Sequence, residues 1–309
     1  MRRLSLFIVA TVIVFSVSAQ KKEKPATAWK TGGMLSVIGG QSGTRNWAPA
    51  GSEKFSLTGT ANLSLWAGKN WGKNTFDNTL DVAYALINTS SDGVRKIDDK
   101  LDFYSKYTRT LKGKAALGTV ASLRTQFTNG YDYSEPHRKR ISGFFAPAYI
   151  NFSPGVQLKS KNNSFAVHLG PAVRWVIVTN EPYSLVYQGG VKPDGSTERP
   201  LAQLYGVNPE REVRFETGLL LSALFKKEVI KNVMWKTRVD FNNDIIEEEP
   251  FQIDVYWTNT IGMTVNKWLK VNYNFDLYYD DDVRMFGANK TSPAAQLKSI
   301  LGVGVGIKF

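Results

Sequence analysis

Reading back from the C-terminus, every second residue is apolar: Phe309, Ile307, Val305, Val303 and Leu301. Between them stand Lys308, Gly306, Gly304 and Gly302. Successive side chains of a strand point to opposite faces. This segment therefore has one continuous apolar face and one of bare glycine backbone. A soluble sheet has little use for such a strand as its final element. A strand with lipid on one side and a lumen on the other needs it. The three glycines are expected to leave space in the lumen where the last strand meets the first.

The same period of two runs through nearly the whole chain. Phe55, Leu57, Leu63 and Leu65 alternate with Ser56, Thr58, Asn62 and Ser64. Leu80, Val82, Tyr84 and Leu86 alternate with Thr79, Asp81 and Ala83. Val233, Trp235, Val239 and Phe241 oppose Lys236, Arg238 and Asp240. With a first strand near 32–39 and another over 143–158, about twelve such segments are expected. They run to roughly 10–15 residues, enough to cross a bilayer at a tilt, where soluble strands average nearer five or six. The connections sort by length when counted back from the C-terminus. Those at 68–74, 110–114, 159–163, 227–231 and 266–267 are short. Those at 40–54, 89–95, 129–142, 179–212, 243–250 and 280–296 are mostly longer. Short turns at one rim and long loops at the other are a barrel asymmetry.

The first residues read as an export signal, with Arg2 and Arg3 ahead of an apolar run from Leu4 to Val17. Val17-Ser18-Ala19 supplies small residues for cleavage, so residues 1–19 are expected to be removed. Residues 20–30 are then a periplasmic N-terminal stretch and 31–309 the barrel. No later apolar run reaches the length of a membrane helix. The chain has no cysteine, which excludes disulfides, thiolate metal sites and a lipoprotein anchor. The formal charge is +12, or +10 once Arg2 and Arg3 are gone. In an exported chain this points to anionic lipid head groups, lipopolysaccharide or peptidoglycan rather than nucleic acid. The short turns carry Lys69, Lys73, Lys112, Lys114 and Lys227, a basic periplasmic rim.

The lumen parity carries both signs of charge. This favours ion pairs that fill the interior, with a narrow pore as the alternative. Asp81, Lys100, Asp102 and Arg124, on neighbouring strands, form the cluster singled out. Two acidic runs, Glu247-Glu248-Glu249 and Asp280-Asp281-Asp282, lack the spaced ligands and glycine of a calcium loop and are expected to be solvated. No cofactor or metal is expected. Neither His137 in its basic loop nor His168 on the lumen parity is placed for a serine–histidine dyad on the lipid-facing wall. No catalytic residues are expected.

A terminal aromatic on an apolar stripe, here Leu301, Val303, Val305, Ile307 and Phe309, resembles the insertion signal of bacterial outer-membrane barrels. It implies the barrel-assembly machinery as a partner. Asn46-Trp47 before Gly51, Asp98-Asp99-Lys100, Arg124-Thr125-Gln126-Phe127, Gly130-Tyr131-Asp132-Tyr133, Phe145-Ala146-Pro147-Ala148-Tyr149 and Ser153-Pro154-Gly155 resemble a family of Bacteroidota outer-membrane barrels of unknown function. The resemblance implies a barrel whose motif residues build a packed cap over the outer loops; it brings no substrate. The chain thus reads as all-β, a transmembrane antiparallel up-and-down β-barrel of about twelve strands. The expected role is non-enzymatic, in structure, assembly or surface display. The alternative is a narrow diffusion channel for small solutes.

Overall fold

The structure is a computed structural model that describes residues 28–43, 55–111, 115–132, 139–160, 162, 164–179, 200–208, 210–245, 253–289 and 291–309. The signal segment lies outside them. Among the described residues there are fourteen strands: β1 (Lys30–Gly43), β2 (Phe55–Trp71), β3 (Asn74–Thr89), β4 (Gly93–Thr110), β5 (Ala115–Thr125), β6 (Gly130–Asp132), β7 (Lys139–Ser142), β8 (Ala148–Lys159), β9 (Phe165–Ile177), β10 (Val213–Ile230), β11 (Val233–Asn242), β12 (Asp254–Thr264), β13 (Leu269–Tyr279) and β14 (Gln296–Lys308). Twelve close into an antiparallel up-and-down barrel in the ring order β1-β14-β13-β12-β11-β10-β9-β8-β5-β4-β3-β2. The short hairpin β6–β7 stands apart, inside the β5–β8 loop. Among the described residues a short helix, α1 (Leu201–Leu204), follows β9. Among the described residues no helix is long and apolar enough to cross a membrane.

The outer wall is what period two dictates. Leu35, Val37, Leu117, Phe152, Leu169, Leu219, Leu301, Val303, Val305 and Ile307 are all exposed, while Ser36, Asp102, Gln157, His168, Arg174 and Arg238 on the opposite parity are buried. Only lipid makes such an inside-out pattern stable. Aromatic pairs mark both edges of the apolar band. Phe225–Trp235 and Trp29–Phe76 sit at the short-turn rim, and Trp175–Phe215 and Trp257–Phe275 toward the long loops. Phe215 and Phe225 share β10. Ten residues at about 3.3 Å, tilted by roughly 40°, place them about 25 Å apart along the membrane normal, the height of a barrel's apolar belt.

The loop lengths sort as expected, with one exception. The turns at 72–73, 111–114, 160–164, 231–232 and 265–268 lie at one rim, and the connections at 44–54, 126–147, 178–212, 243–253 and 280–295 at the other. The exception is 90–92 on the long-loop side, a tight turn. It closes on Gly93, whose φ of +71° a side chain would disfavour. The strand expected over 143–158 begins only at Ala148. Pro147 has no N–H for a ladder, and Gly143 bridges Ala146 instead.

The glycine face of β14 differs from expectation. It leaves no space, because neighbours occupy it. A Cβ on Gly302 would lie 2.0 Å from Ile38 Cγ2, and one on Gly306 2.6 Å from Lys270 Cγ. A Cβ on Gly304 would strike the Val37 carbonyl at 2.0 Å. The glycines let β1 and β14 approach and let long side chains cross the seam.

Candidate functional site

The four lumen charges singled out from the sequence do not pair along their own wall. Asp81 and Asp102 are directly opposed on β3 and β4, and Asp102 and Arg124 on β4 and β5. Yet each is paired with the far side. Asp81 accepts from Lys236 Nζ at 2.7 Å and from Ser64 Oγ at 2.6 Å. Asp102 accepts from Arg238 Nη2 at 2.8 Å. Lys100 donates to Asp276 at 3.2 Å. Arg124 lies 3.8 Å from Asp240 and stacks with its guanidinium carbon 3.1 Å from the Tyr256 ring centroid. Round the ring, β4 to β11 is five steps of twelve and β3 to β11 is six, so these bonds span the barrel. Arg238 is the centre of the lattice. It also reaches Asp240 at 3.2 Å and lies 4.8 Å from the ring of Tyr104. Beside it Tyr104, Val120, Ala172 and Leu220 form an apolar cluster inside the lumen. Sequence reading missed the tyrosines; aromatics on the charged parity are the signal that could have found them.

Two spaces remain. An internal cavity of about 70 Å³ is lined by Met34, Ser36, Asn62, Asn272, Asn274 and Asp102 among others, beside the closing strand. A vestibule of about 540 Å³ opens toward the long loops, bounded by Gln126, Tyr149, Tyr205, Tyr256, Tyr278 and Phe286 among others. Asp98, Lys100, Asp276 and Lys298 line both. Lys298 reaches Asp98 at 2.8 Å and Asp276 at 2.9 Å, so this quartet forms the partition between them. Below the cavity, toward the short turns, the lumen parity changes character. Among the described residues, Lys106, Lys159, Lys226, Lys236, Lys270 and Lys308 share this parity with the acids Asp77, Asp81 and Glu228, and Lys226 is directly opposite Lys236.

A serine–histidine pair does occur, but inside the lumen. Ser153 Oγ and His168 Nε2 are 2.9 Å apart and both residues are buried. The β8–β9 ladder is interrupted between Phe152↔Val173 and Val156↔Leu169. Pro154 and Pro171 cannot donate there, and a Cβ on Gly170 would lie 1.9 Å from the Pro154 carbonyl. Ser153 donates its single proton to the Pro171 carbonyl at 2.8 Å. His168 Nε2 must therefore be the donor to Ser153, which is the wrong tautomer for a general base. Among the described residues its Nδ1 has no orienting partner, and the adjoining cavity, about 10 Å³, admits no substrate. The pair repairs a broken ladder. Ser153→Ala is expected to cost about 1–3 kcal/mol by orphaning a buried carbonyl, read by chemical unfolding, and to leave ester hydrolysis at background. Turnover that vanished in this variant would overturn the structural role.

At the long-loop rim a cap covers the lumen. Ala146, Tyr149, Val176, Val178, Leu201, Ala202, Leu204, Tyr205, Val207 and Val283 form one buried apolar cluster. Side chains of β4 and of the β5 end lock it. Thr125 Oγ1 donates to the Pro147 carbonyl at 3.1 Å, and Gln126 Nε2 to the Ala146 carbonyl at 3.0 Å. Asp99 accepts from the backbone N–H groups of Phe127 and Thr128, each at 2.8 Å. Asp280-Asp281-Asp282 is not solvated as expected. Asp280 is 1% and Asp281 8% exposed, because the cap closes over them. Burial, with Asp282 and Asp280 beside it, pushes the Asp281 carboxyl above the usual range. Arg174 bonds Glu216 and Asp254 and lies 3.9 Å from Asp280, while Arg214 bonds Glu216 and Asp282. Glu247–Glu249, His137, Lys112 and Lys114 lie outside the described residues. Of the rim lysines, Lys73 and Lys227 are exposed. Lys69 lies 6.0 Å from the Trp29 ring and 5.8 Å from that of Trp71, in the aromatic belt. Phe309 is exposed on the outer wall and pairs its backbone with Gly33 in both directions, at 2.9 and 3.1 Å.

Residues 40–131 match a family described as proteins of unknown function (DUF3078). No curated protein sequence matches the chain. Among solved structures it is similar to the translocator domain of the autotransporter NalP from Neisseria meningitidis, at 8% identity and a TM-score of 0.39 over 92% of this chain and 89% of that one. It is also similar to an outer membrane channel from Pseudomonas putida F1, at 11% identity and a TM-score of 0.38 over 94% and 100%. A third is the CymD monoaromatic hydrocarbon channel, at 11% identity and a TM-score of 0.31 over 91% and 88%.

Proposed function

We propose that this protein is a non-enzymatic, integral outer-membrane barrel whose resting lumen is shut and whose role is structural or surface display. The observation that carries the reading is the set of ion pairs across the barrel, Asp102–Arg238, Asp81–Lys236 and Lys100–Asp276, each joining walls four or more strands apart. The export signal, the lipid-facing wall and the terminal stripe support the outer-membrane setting. In it, the short turns and both termini face the periplasm and the long loops face outward. The basic rim residues Lys69, Lys73 and Lys227 then meet phospholipid head groups, lipopolysaccharide or peptidoglycan, and the Leu301–Phe309 stripe engages the assembly machinery. A folded barrel migrates faster unboiled than boiled on a gel; an unchanged mobility would refute the barrel in detergent.

A second reading, a gated solute channel, has its own support. The Asp98–Lys100–Asp276–Lys298 quartet lines both the vestibule and the inner cavity. Wild-type protein in a planar bilayer is expected to show no stable conductance. Lys298→Ala with Asp276→Ala removes three of the quartet's bonds and is expected to open one. The six periplasmic-side lysines make that current anion-selective. Steady wild-type current would overturn the shut lumen; a silent double variant would count against the channel.

A further inference from the structure

We propose that the short-turn end of the lumen is a binding site for a small, multiply charged phosphoryl anion. Toward the short turns, six strands carry a lysine on the lumen parity: Lys106, Lys159, Lys226, Lys236, Lys270 and Lys308. Among the described residues three acids share that level, and two of them are engaged. Asp81 accepts from Lys236 at 2.7 Å, and Glu228 Oε1 accepts from the backbone N–H of Asn232 at 2.7 Å in its own turn. The lumen arginines Arg124, Arg174, Arg214 and Arg238 all stand higher and pair with carboxylates there. Rings of lysine are the lining of anion and phosphate pores. The site extends the shut-lumen reading and rests on it in one respect: the lattice above makes this end a blind basin.

The ammonium groups converge. Lys106, on β4, is directly opposite Asp77 on β3. Lys159 reaches over from β8, three ring steps from β3, and donates to Thr75 Oγ1 at 3.2 Å. Thr75 is on the same face of β3 as Asp77, two residues away. The Lys270 stem crosses β14 where Gly306 leaves room for it. The charges that act on Lys226 belong to Lys236, Asp81, Lys308 and Asp77, so β3, β11 and β14 all face it.

One of these lysines is both buried and unpartnered. Lys106 is 8% exposed, and among the described residues its Nζ has neither a hydrogen bond nor an ion pair. An ammonium withdrawn from water without a partner is costly, and Lys159 adds a like charge beside it. An anion in the basin removes both penalties. The donor type selects the anion. A lysine is a compact point charge with three rotatable donors. The tetrahedral oxygens of a phosphoryl group point in all directions and take such donors from several strands at once, whereas this lumen meets its planar carboxylates with arginine forks. Two phosphoryl groups carry about three to four negative charges, which matches the excess of six lysines over three acids. Lipid head groups stay outside the wall, so the anion enters from water on the short-turn side. The chain's own Gln20-Lys21-Lys22-Glu23-Lys24 has the wrong sign to fill the basin.

The test titrates the full folded barrel in detergent with inorganic pyrophosphate, followed by calorimetry at low ionic strength. The expected result is saturable binding of one pyrophosphate per barrel, about tenfold weaker in Lys106→Gln and in Lys226→Gln. Arg109→Gln, which removes an equal charge from the exposed outer face of β4, is expected to bind as wild type does. Sulfate is expected to compete, and chloride at the same ionic strength to compete far less. Heat-modifiable migration confirms that each variant is folded; Lys226 is exposed, so its variant serves should Lys106→Gln not fold. Equal affinity in wild type and Lys226→Gln, an equal loss in Arg109→Gln, or displacement as complete by chloride as by sulfate would each overturn the site. Conductance reads the shut lumen separately: binding alongside a steady current keeps the site and refutes the shut lumen, and a silent barrel that binds no pyrophosphate refutes the site alone.

Discussion

Arg238→Met is expected to destabilise the barrel by about 3–5 kcal/mol, the cost of stripping a buried ion pair of one partner. Arg238 is 6% and Asp102 5% exposed, and among the described residues Asp102 Oδ2 accepts from Arg238 while Oδ1 has no hydrogen-bond partner. The variant also loses the guanidinium's contact with the Tyr104 ring. Urea unfolding in detergent, followed by tryptophan fluorescence, reads the loss. Adding Asp102→Asn should recover most of it, because the uncompensated charge and not the missing bond dominates the penalty. A double variant as unstable as the sum of the two singles would refute this account, since residues in contact must couple.

The second large effect lies at the seam. Gly304→Ala is expected to prevent the ring from closing. The new methyl would sit 2.0 Å from the Val37 carbonyl and 2.7 Å from Ile38 Cα, both backbone atoms that move only if β1 moves. Overpacking costs about 1–3 kcal/mol where side chains can yield, and here none can. The β1–β14 ladder is also short: its register runs only from Met34↔Lys308 to Gly39↔Val303. Gly59→Ala is the matched control, because a Cβ there meets nothing within 4 Å. The measure is the fraction of refolded protein in the fast-migrating gel band. Equal fractions for the two variants would mean that the glycine stripe does not govern closure.

Much of this architecture can be read from period two alone. Parity separates Leu301 and Val303 from the lumen, and assigns Asp102 and Arg238 to it, because a strand has only two faces. Parity does not give height. Which acid meets which base depends on the stagger between strands, and Asp102 meets Arg238 from 136 residues away. The neighbouring Arg124, directly opposite Asp102 in register, turns instead to Asp240 and Tyr256. The burial of Asp280 and Asp281 was equally hidden, since it is imposed by distant cap residues such as Leu204 and Tyr205. In the sequence Ser153 stood out only as part of the Ser153-Pro154-Gly155 motif. Its task arises from two prolines that fall side by side only when β8 and β9 pair.

The interrupted β8–β9 ladder and the short β1–β14 ladder lie across the ring from each other, six steps apart. They divide the cylinder into two half-shells of six barrel strands, one from β1 to β8 and one from β9 to β14. Midway between these two hinge lines stand β3 and β4 on one shell and β11 and β12 on the other. Asp81–Lys236 and Asp102–Arg238 clasp β3 and β4 to β11, and the Arg124–Tyr256 stack joins the adjacent β5 to β12. The halves of the chain thus meet like the covers of a book held by a central clasp. Loss of these pairs would therefore unfasten the two half-shells at the points farthest from both seams.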